Sequence, residues 1–376
     1  MLSRSKENAL SIKRNLDRLA ATEGSASPSV LAPRMSITRR AFLGKLAASA
    51  AIGAAGLAAT RLVLDLPGSA LAADAPPPSP PSALPAAPTG VRSRLVSVFN
   101  PIVVRGDRVN EKYLAGMLDT GLTRFWGVDK QAEGWRKLLG EACNPNLKVL
   151  IKFNRSGADA IGTTRPMAAV LLSSLGTAGI KPDQVMLMDV SVETHRELET
   201  HPPIFGYEAE PVRVLGRDEH LALALAWADC IINVPFVKDH HMVGATCALK
   251  NLSHGLIKAP AQWHGERCRD AIGHICNLPQ IRGKRKITIC NALRIVYDGG
   301  PEARIECMVE HSRLFISTDM VAMDAFAARL VDQTRGKQGL KDLAEEHRPC
   351  NYLNTARELG LGQSDLDHID VTELET

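Results

Sequence analysis

The chain has 376 residues, with 45 Lys and Arg against 41 Asp and Glu, and 45% of its residues are apolar. This is ordinary globular composition, which excludes a disordered chain, a collagen-like fibre and a small disulfide scaffold and leaves room for a sizeable core. The net charge of +4 invites a nucleic-acid or anionic-membrane partner, yet residues 1–72 hold 10 basic against 4 acidic residues and the rest hold 35 against 37. The basicity therefore belongs to the front of the chain. With aromatics at 4%, too few for base-stacking platforms, no nucleic-acid partner is expected.

In chain order, the first feature is an address. Thr38 to Lys45 read TRRAFLGK, which resembles the twin-arginine export motif. A weakly apolar stretch from Leu46 to Leu64 follows, interrupted by Arg61, and Ala70-Leu71-Ala72 offers small residues for signal-peptidase cleavage before Ala73. That order implies an export signal over residues 1–72, with the twin-arginine translocase and signal peptidase as partners and the periplasm as destination. A retained anchor or an amphipathic helix is the other reading. A stable span needs about 20 apolar residues, so no membrane span is expected in the mature form. Met35 would give MSITRRAFLGK, a standard basic start, and is expected to be the true start, with residues 1–34 an extension. Residues 73–91 form a linker whose segment 75–90 holds seven prolines, a polyproline II spacer that cannot build a core.

Residues 92–376 read as one domain. Leu95 to Phe99, Lys148 to Phe153, Val185 to Val190, Cys230 to Val237 and Arg313 to Ser317 are apolar, strand-like runs, and Lys286 to Val296 contains one longer strand or two. Helical spacing appears at Asn110 to Leu118, Ala132 to Leu139, Asp218 to Trp227, Thr246 to Ile257 and Gly265 to Cys276. Thr163 is placed to N-cap a helix through Leu175, and Asp319 or Thr318 one through Val331. Further helices start from about Lys337 and Tyr352. The alternation predicts an α/β fold, a mainly parallel sheet with helices on both faces. In such folds ligands bind at the carboxyl ends of the strands, and Asn154, Lys238 to His241, Asp298 and Asp319 fall there.

The densest segment is IINVPFVKDHHMVGATCALKNLSHGLIK, Ile231 to Lys258. A strand running through a glycine loop into a helix aims backbone N–H groups at one spot, a ready anion site. Lys152, Asn154, Lys238, Thr246, Lys250 and Asn251 are candidates to hold a carboxylate or phosphate. A Lys inside the apolar strand KVLIKF needs a partner if buried, either a carboxylate or a bound anion. His240, His241 and Asp298 are the candidate catalytic groups, with a His as acid–base and Asp298 as its orienter or as a second ligand. His240, His241 and His254 are metal-ligand types, and a divalent metal is one reading, although their spacing fits no standard zinc pattern. The competing reading is a hydrogen-bond network that closes the strand ends. His264, Cys268, His274 and Cys276 read as structural first, as does Asp324 at a helix start. None of the eight Cys forms Cys-x-x-Cys, so no ferredoxin-type iron–sulfur cluster is expected, and no framework picks a disulfide pairing.

KVLIKFN, TTRP, INVPFVKDHHMVGATCALKN, His264, YDGGP, STDMVAMDA and GLGQSDLDHIDV together span Val96 to Val371. On these pieces the chain resembles the family catalogued as domain of unknown function 362, in a twin-arginine-exported form. Some members carry ferredoxin segments that this chain lacks, and no settled reaction comes with the resemblance. Thr163 to Arg196 is also similar in layout to the N-terminal domain of nickel-pincer lactate racemases, which would make His195 catalytic, although Thr194 replaces the expected Gly. The expected function is a periplasmic enzyme acting on a small anionic substrate. A non-catalytic ligand-binding or accessory protein is the alternative, and a purely structural polar block is the third.

Overall fold

The computed structural model describes residues 92–140, 146–265 and 268–376. The export segment, the proline-rich linker and residues 266–267 of the expected Gly265–Cys276 helix lie outside the described residues.

Nine strands form one sheet: β1 (Ser93–Phe99), β2 (Val149–Lys152), β3 (Val185–Met188), β4 (Cys230–Asn233), β5 (Phe236–His240), β6 (Gly244–Thr246), β7 (Arg285–Val296), β8 (Met308–Ser317) and β9 (Ile369–Glu375). The order is β9-β1-β8-β7-β4-β2-β3, with β5 also on β7 and β6 on β5. β2 pairs in parallel with β3 and β4, β7 with β4 and β5, and β1 with β9. The pairs β1–β8, β7–β8 and β5–β6 are antiparallel. The sheet is thus mixed but mostly parallel, and every residue of VLIK in β2 and CIIN in β4 is buried, as strands covered on both faces require.

Helices cover both faces. One core layer packs Val96, Val149, Ile232 and Ile316 under α1 (Glu111–Trp126), α2 (Gln131–Leu139) and α3 (Thr164–Thr177). The other packs Leu95, Leu150, Ile231 and Phe315 under α5 (Ala248–Ser253), α6 (Cys268–Cys276), α7 (Met320–Lys337) and α8 (Tyr352–Glu358). A short α4 (Val192–Glu197) follows β3. No helix among the described residues is long and apolar enough to cross a membrane.

Several boundaries differ from the sequence reading. Asp218 to Trp227 divides into a short hairpin strand, Arg217–Glu219, and a five-residue helix, Leu223–Trp227. The run Cys230 to Val237 is two strands, because Pro235 lacks the N–H that a continuous ladder needs. The helix expected from Thr246 begins only at Ala248, since Gly244 to Thr246 pairs with β5. No helix begins at Lys337; α7 runs up to that residue. Thr163 precedes α3 without capping it, because its hydroxyl accepts from Asn291 Nδ2 at 2.9 Å instead. β9 was not foreseen: IDVTELE is half exposed, as suits an edge strand.

The chain between β4 and β6 sets up the site. β4 lies against the start of β7, at Arg285 to Thr288, and β5 against its end, at Asn291 to Val296. Val234 and Pro235 carry the backbone across this step. β5 then turns back through Gly244, whose φ of +83° and whose contact distance of 2.2 Å from a hypothetical Cβ to Arg348 O both demand glycine.

A cationic candidate site at the strand ends

Lys152 ends β2 with no exposed surface. Its ammonium donates to Asp189 Oδ2 at 2.6 Å, to the Phe153 carbonyl at 2.7 Å and to Asn251 Oδ1 at 3.2 Å. Asn251 Nδ2 donates in turn to Asn233 Oδ1 at 2.8 Å and to the Lys152 carbonyl. The carboxylate that a buried Lys requires is therefore Asp189, just past β3. Three side chains lock the ends of β2 and β4 to α5.

Lys238, in β5, is equally buried but meets no carboxylate within ion-pair distance among the described residues. Its Nζ donates to Asn154 Oδ1 at 3.1 Å and to the carbonyls of Ser156 at 2.6 Å and Pro301 at 3.1 Å. Burial is the main cause that pulls this ammonium down to about 7, and the charges of Lys250 and Lys152 add to it.

Beside these lies a cluster of imidazoles. His240 at the end of β5 is 2% exposed, and its Nδ1 accepts from the Met242 N–H at 3.2 Å. Its ring stacks on His241 at 5.0 Å between centroids and lies 6.4 Å from His264. His254 meets His264 edge-on at 4.9 Å. Lys250 Nζ donates to His264 Nε2 at 3.1 Å, and Cys268 Sγ is 3.8 Å from His254 Nε2. Burial, then the Lys250 charge, pushes His240 down to about 2 and His254 down to about 3. The same causes lower His264, and burial lowers Lys250 itself. The rings of His240 and His254 are neutral, beside an ammonium that has no carboxylate at ion-pair distance among the described residues. His241 is exposed and its Nδ1 donates to the Gly300 carbonyl at 3.2 Å, so the cluster reaches the surface there.

The carboxylates of the segment are engaged elsewhere. Asp239 pairs with Arg348 at 2.7 Å and accepts from Gly300 N–H at 2.9 Å. Asp298 was expected to orient a His; it pairs instead with Arg335 at 2.7 Å. Arg335 is fully buried and also holds Glu346 at 2.5 Å. A guanidinium on an adjacent element outcompetes a neutral imidazole for that carboxylate. Thr246 is buried in β6. Asp324 is not a dipole partner for its own helix: from α7 it reaches across to cap α5, accepting from Ala248 N–H at 2.5 Å and from the Tyr352 hydroxyl at 3.0 Å. Among the described residues no three His, Cys, Asp or Glu side chains converge as metal ligands. His240 and His241 present ring faces to each other rather than nitrogens to a common point.

The structure thus brings together Lys152 with Asn251, Lys238 with Asn154, and Lys250 with His240, His241 and His254. It adds His264 and Cys268, which the sequence reads as structural first. His195, from the racemase-like stretch, is buried with Nδ1 2.9 Å from Thr200 Oγ1, on α4 beyond the edge strand β3. Burial lowers it to about 4.

The fold and these residues define an α/β protein of mixed, mostly parallel sheet, with a lysine- and histidine-rich cluster at its strand ends. Residues 205–329, about a third of the chain, match the family described as Domain of unknown function (DUF362). The chain carries a DUF362 domain, which holds β4 to β8 and the whole imidazole cluster. No curated protein and no solved structure matches the chain.

Proposed function

We propose that the DUF362 domain binds a small carboxylate or phosphate beside Lys250 and the imidazoles of His240, His241, His254 and His264, and transfers a proton on it. The observation that carries this reading is the contact of Lys250 Nζ with His264 Nε2 at 3.1 Å, with no carboxylate at ion-pair distance among the described residues. An uncompensated, half-buried ammonium is costly, and an anion placed there would relieve it. His264 is lowered below its ordinary value by burial and then by the Lys250 charge, which favours its free-base form as a proton acceptor once an anion offsets the ammonium. A metal-assisted version would use His240, His241 and His254 after their rings turn out of the stack, and metal content of the exported protein tests it.

Calorimetric titration with inorganic phosphate checks the binding. Lys250→Met is expected to weaken it at least about tenfold, the scale of one charge-assisted hydrogen bond. Unchanged affinity would sink the reading. His264→Gln is expected to keep binding and to lose turnover in a screen of small carboxylate and phosphate esters.

A second reading, binding without chemistry, is favoured by the pairing of Asp298 with Arg335, which removes the expected His orienter. It predicts phosphate binding with no turnover in the wild-type protein. In both readings the protein works in the periplasm, on the strength of TRRAFLGK. The double substitution Arg39→Lys and Arg40→Lys is expected to hold it in the cytoplasmic fraction.

A further inference from the structure

Cys247 immediately precedes α5, and Cys290 lies within β7. Their Sγ atoms are 3.4 Å apart, with side chains 2% and 0% exposed, although 43 residues separate them in sequence. Seven described cysteines are free, and this is the one thiol–thiol contact among them. A disulfide measures about 2.0 Å between sulfurs, so the pair is already within a small side-chain adjustment of bonding. Sequence spacing alone selects no pairing; the contact of the residue before α5 with β7 selects this one.

We propose that Cys247 and Cys290 form a disulfide under oxidising conditions, tying the start of α5 to the long strand β7. In the reaction two S–H bonds are lost and one S–S bond forms. Two protons leave, and two electrons pass to an oxidant of the disulfide class, through a mixed disulfide that the second thiol resolves. That oxidant is a dithiol–disulfide exchange protein in an oxidising compartment, or oxidised glutathione in vitro. Burial, and then contact with Cys290, pushes the Cys247 thiol well above its ordinary value. In the closed structure it is a poor nucleophile, so the bond forms while the chain folds or opens locally. The bond fixes the residue just before the helix that carries Lys250 and Asn251, with His254 immediately after its last residue. It stands independently of the anion site, and of the compartment as long as an oxidant is supplied.

The test refolds the reduced, denatured full-length chain in a glutathione buffer rich in the oxidised form. Alkylation under denaturing conditions and peptide mapping follow. The expected result is one cross-linked peptide pair, Cys247 with Cys290, while Cys268 and Cys276 are alkylated. The linked protein should also show a higher thermal midpoint than the reduced one, because the cross-link restricts the unfolded chain. Cys290→Ala should leave Cys247 alkylated and abolish that rise, and Cys276→Ala should preserve both link and rise. Cys247 found alkylated in refolded wild-type protein, or joined to another cysteine, overturns the proposal. So does refolding that succeeds only when both thiols stay reduced.

Discussion

At the scale of single residues, buried lysines organise the strand ends in two different ways. Lys152 is neutralised by Asp189 and doubles as a hydrogen-bond hub for Asn251. Lys238 is solvated by carbonyls and one amide. Lys152→Met removes the charge while keeping the bulk, and leaves Asp189 and the Asn251 oxygen without their donor. Breaking a buried pair from one side costs about 3–5 kcal/mol. Asp189 keeps 27% of its side chain exposed and can rehydrate, so we expect about 3 kcal/mol in urea denaturation. The need for a partner at Lys152 was legible in KVLIKF, because a cation inside an apolar strand admits few fates. The attachment of Asp298 to Arg335 was not legible, since it joins a turn to a helix end 37 residues away and no local spacing encodes that. His264 was likewise undervalued, because only the folded path of α5 brings it under Lys250.

At the scale of elements, caps tie helices to the sheet. Asp319 precedes α7 and accepts from the N–H groups of Val321 at 2.8 Å and Ala322 at 2.9 Å. Its other oxygen takes the Gln363 N–H at 2.8 Å and the Ser93 hydroxyl. One carboxylate thus joins the start of β1, the start of α7 and the approach to β9. Loss of a cap alone costs about 1 kcal/mol, and the two further bonds raise the expected cost of Asp319→Ala to about 2–3 kcal/mol, readable as a lowered denaturant midpoint. This cap was visible in Ser-Thr-Asp before an apolar run. The role of Asp324 was not: its partner helix α5 lies 76 residues upstream. The elements themselves were read best where a short apolar run is continuous, as in β2, because such a run leaves little choice; β7, broken by Thr288, Asn291 and Arg294, was legible only as one longer strand or two. Reading failed where the pattern was mixed, as at Arg217–Glu219 and in β9, whose alternation of buried and exposed residues becomes meaningful only beside β1.

At the scale of the whole molecule, the buried titratable groups set opposing pH trends. His240 and His254 are lowered to about 2 and about 3, so the unfolded chain takes up protons that the folded one refuses. Their contribution is complete above about pH 6.5 and is lost as pH falls toward those values. Asp324 is raised to about 7, chiefly by burial. Its contribution is present below about pH 4 and is lost as pH rises to 7. His195 and His311, each lowered to about 4 chiefly by burial, act in the same direction as His240 and His254, so the lowered imidazoles outweigh the Asp324 carboxyl and predict a net fall in thermal midpoint between pH 6.5 and pH 4.5. Phosphate should lessen that fall if it sits among the imidazoles, because an anion favours their protonation; equal slopes with and without phosphate would count against that placement. The sheet order has a consequence of another kind. The family-matched stretch 205–329 holds β4 and β8, yet β2 covers the outer edge of β4 and β1 that of β8, and the stretch ends within α7, before Arg335. Excised, it would show two bare strand edges to its neighbours and lose the guanidinium beneath Asp298. The most recognisable third of the chain is therefore not an autonomous folding unit, and expressed alone it should aggregate while residues 92–376 stay monodisperse on gel filtration.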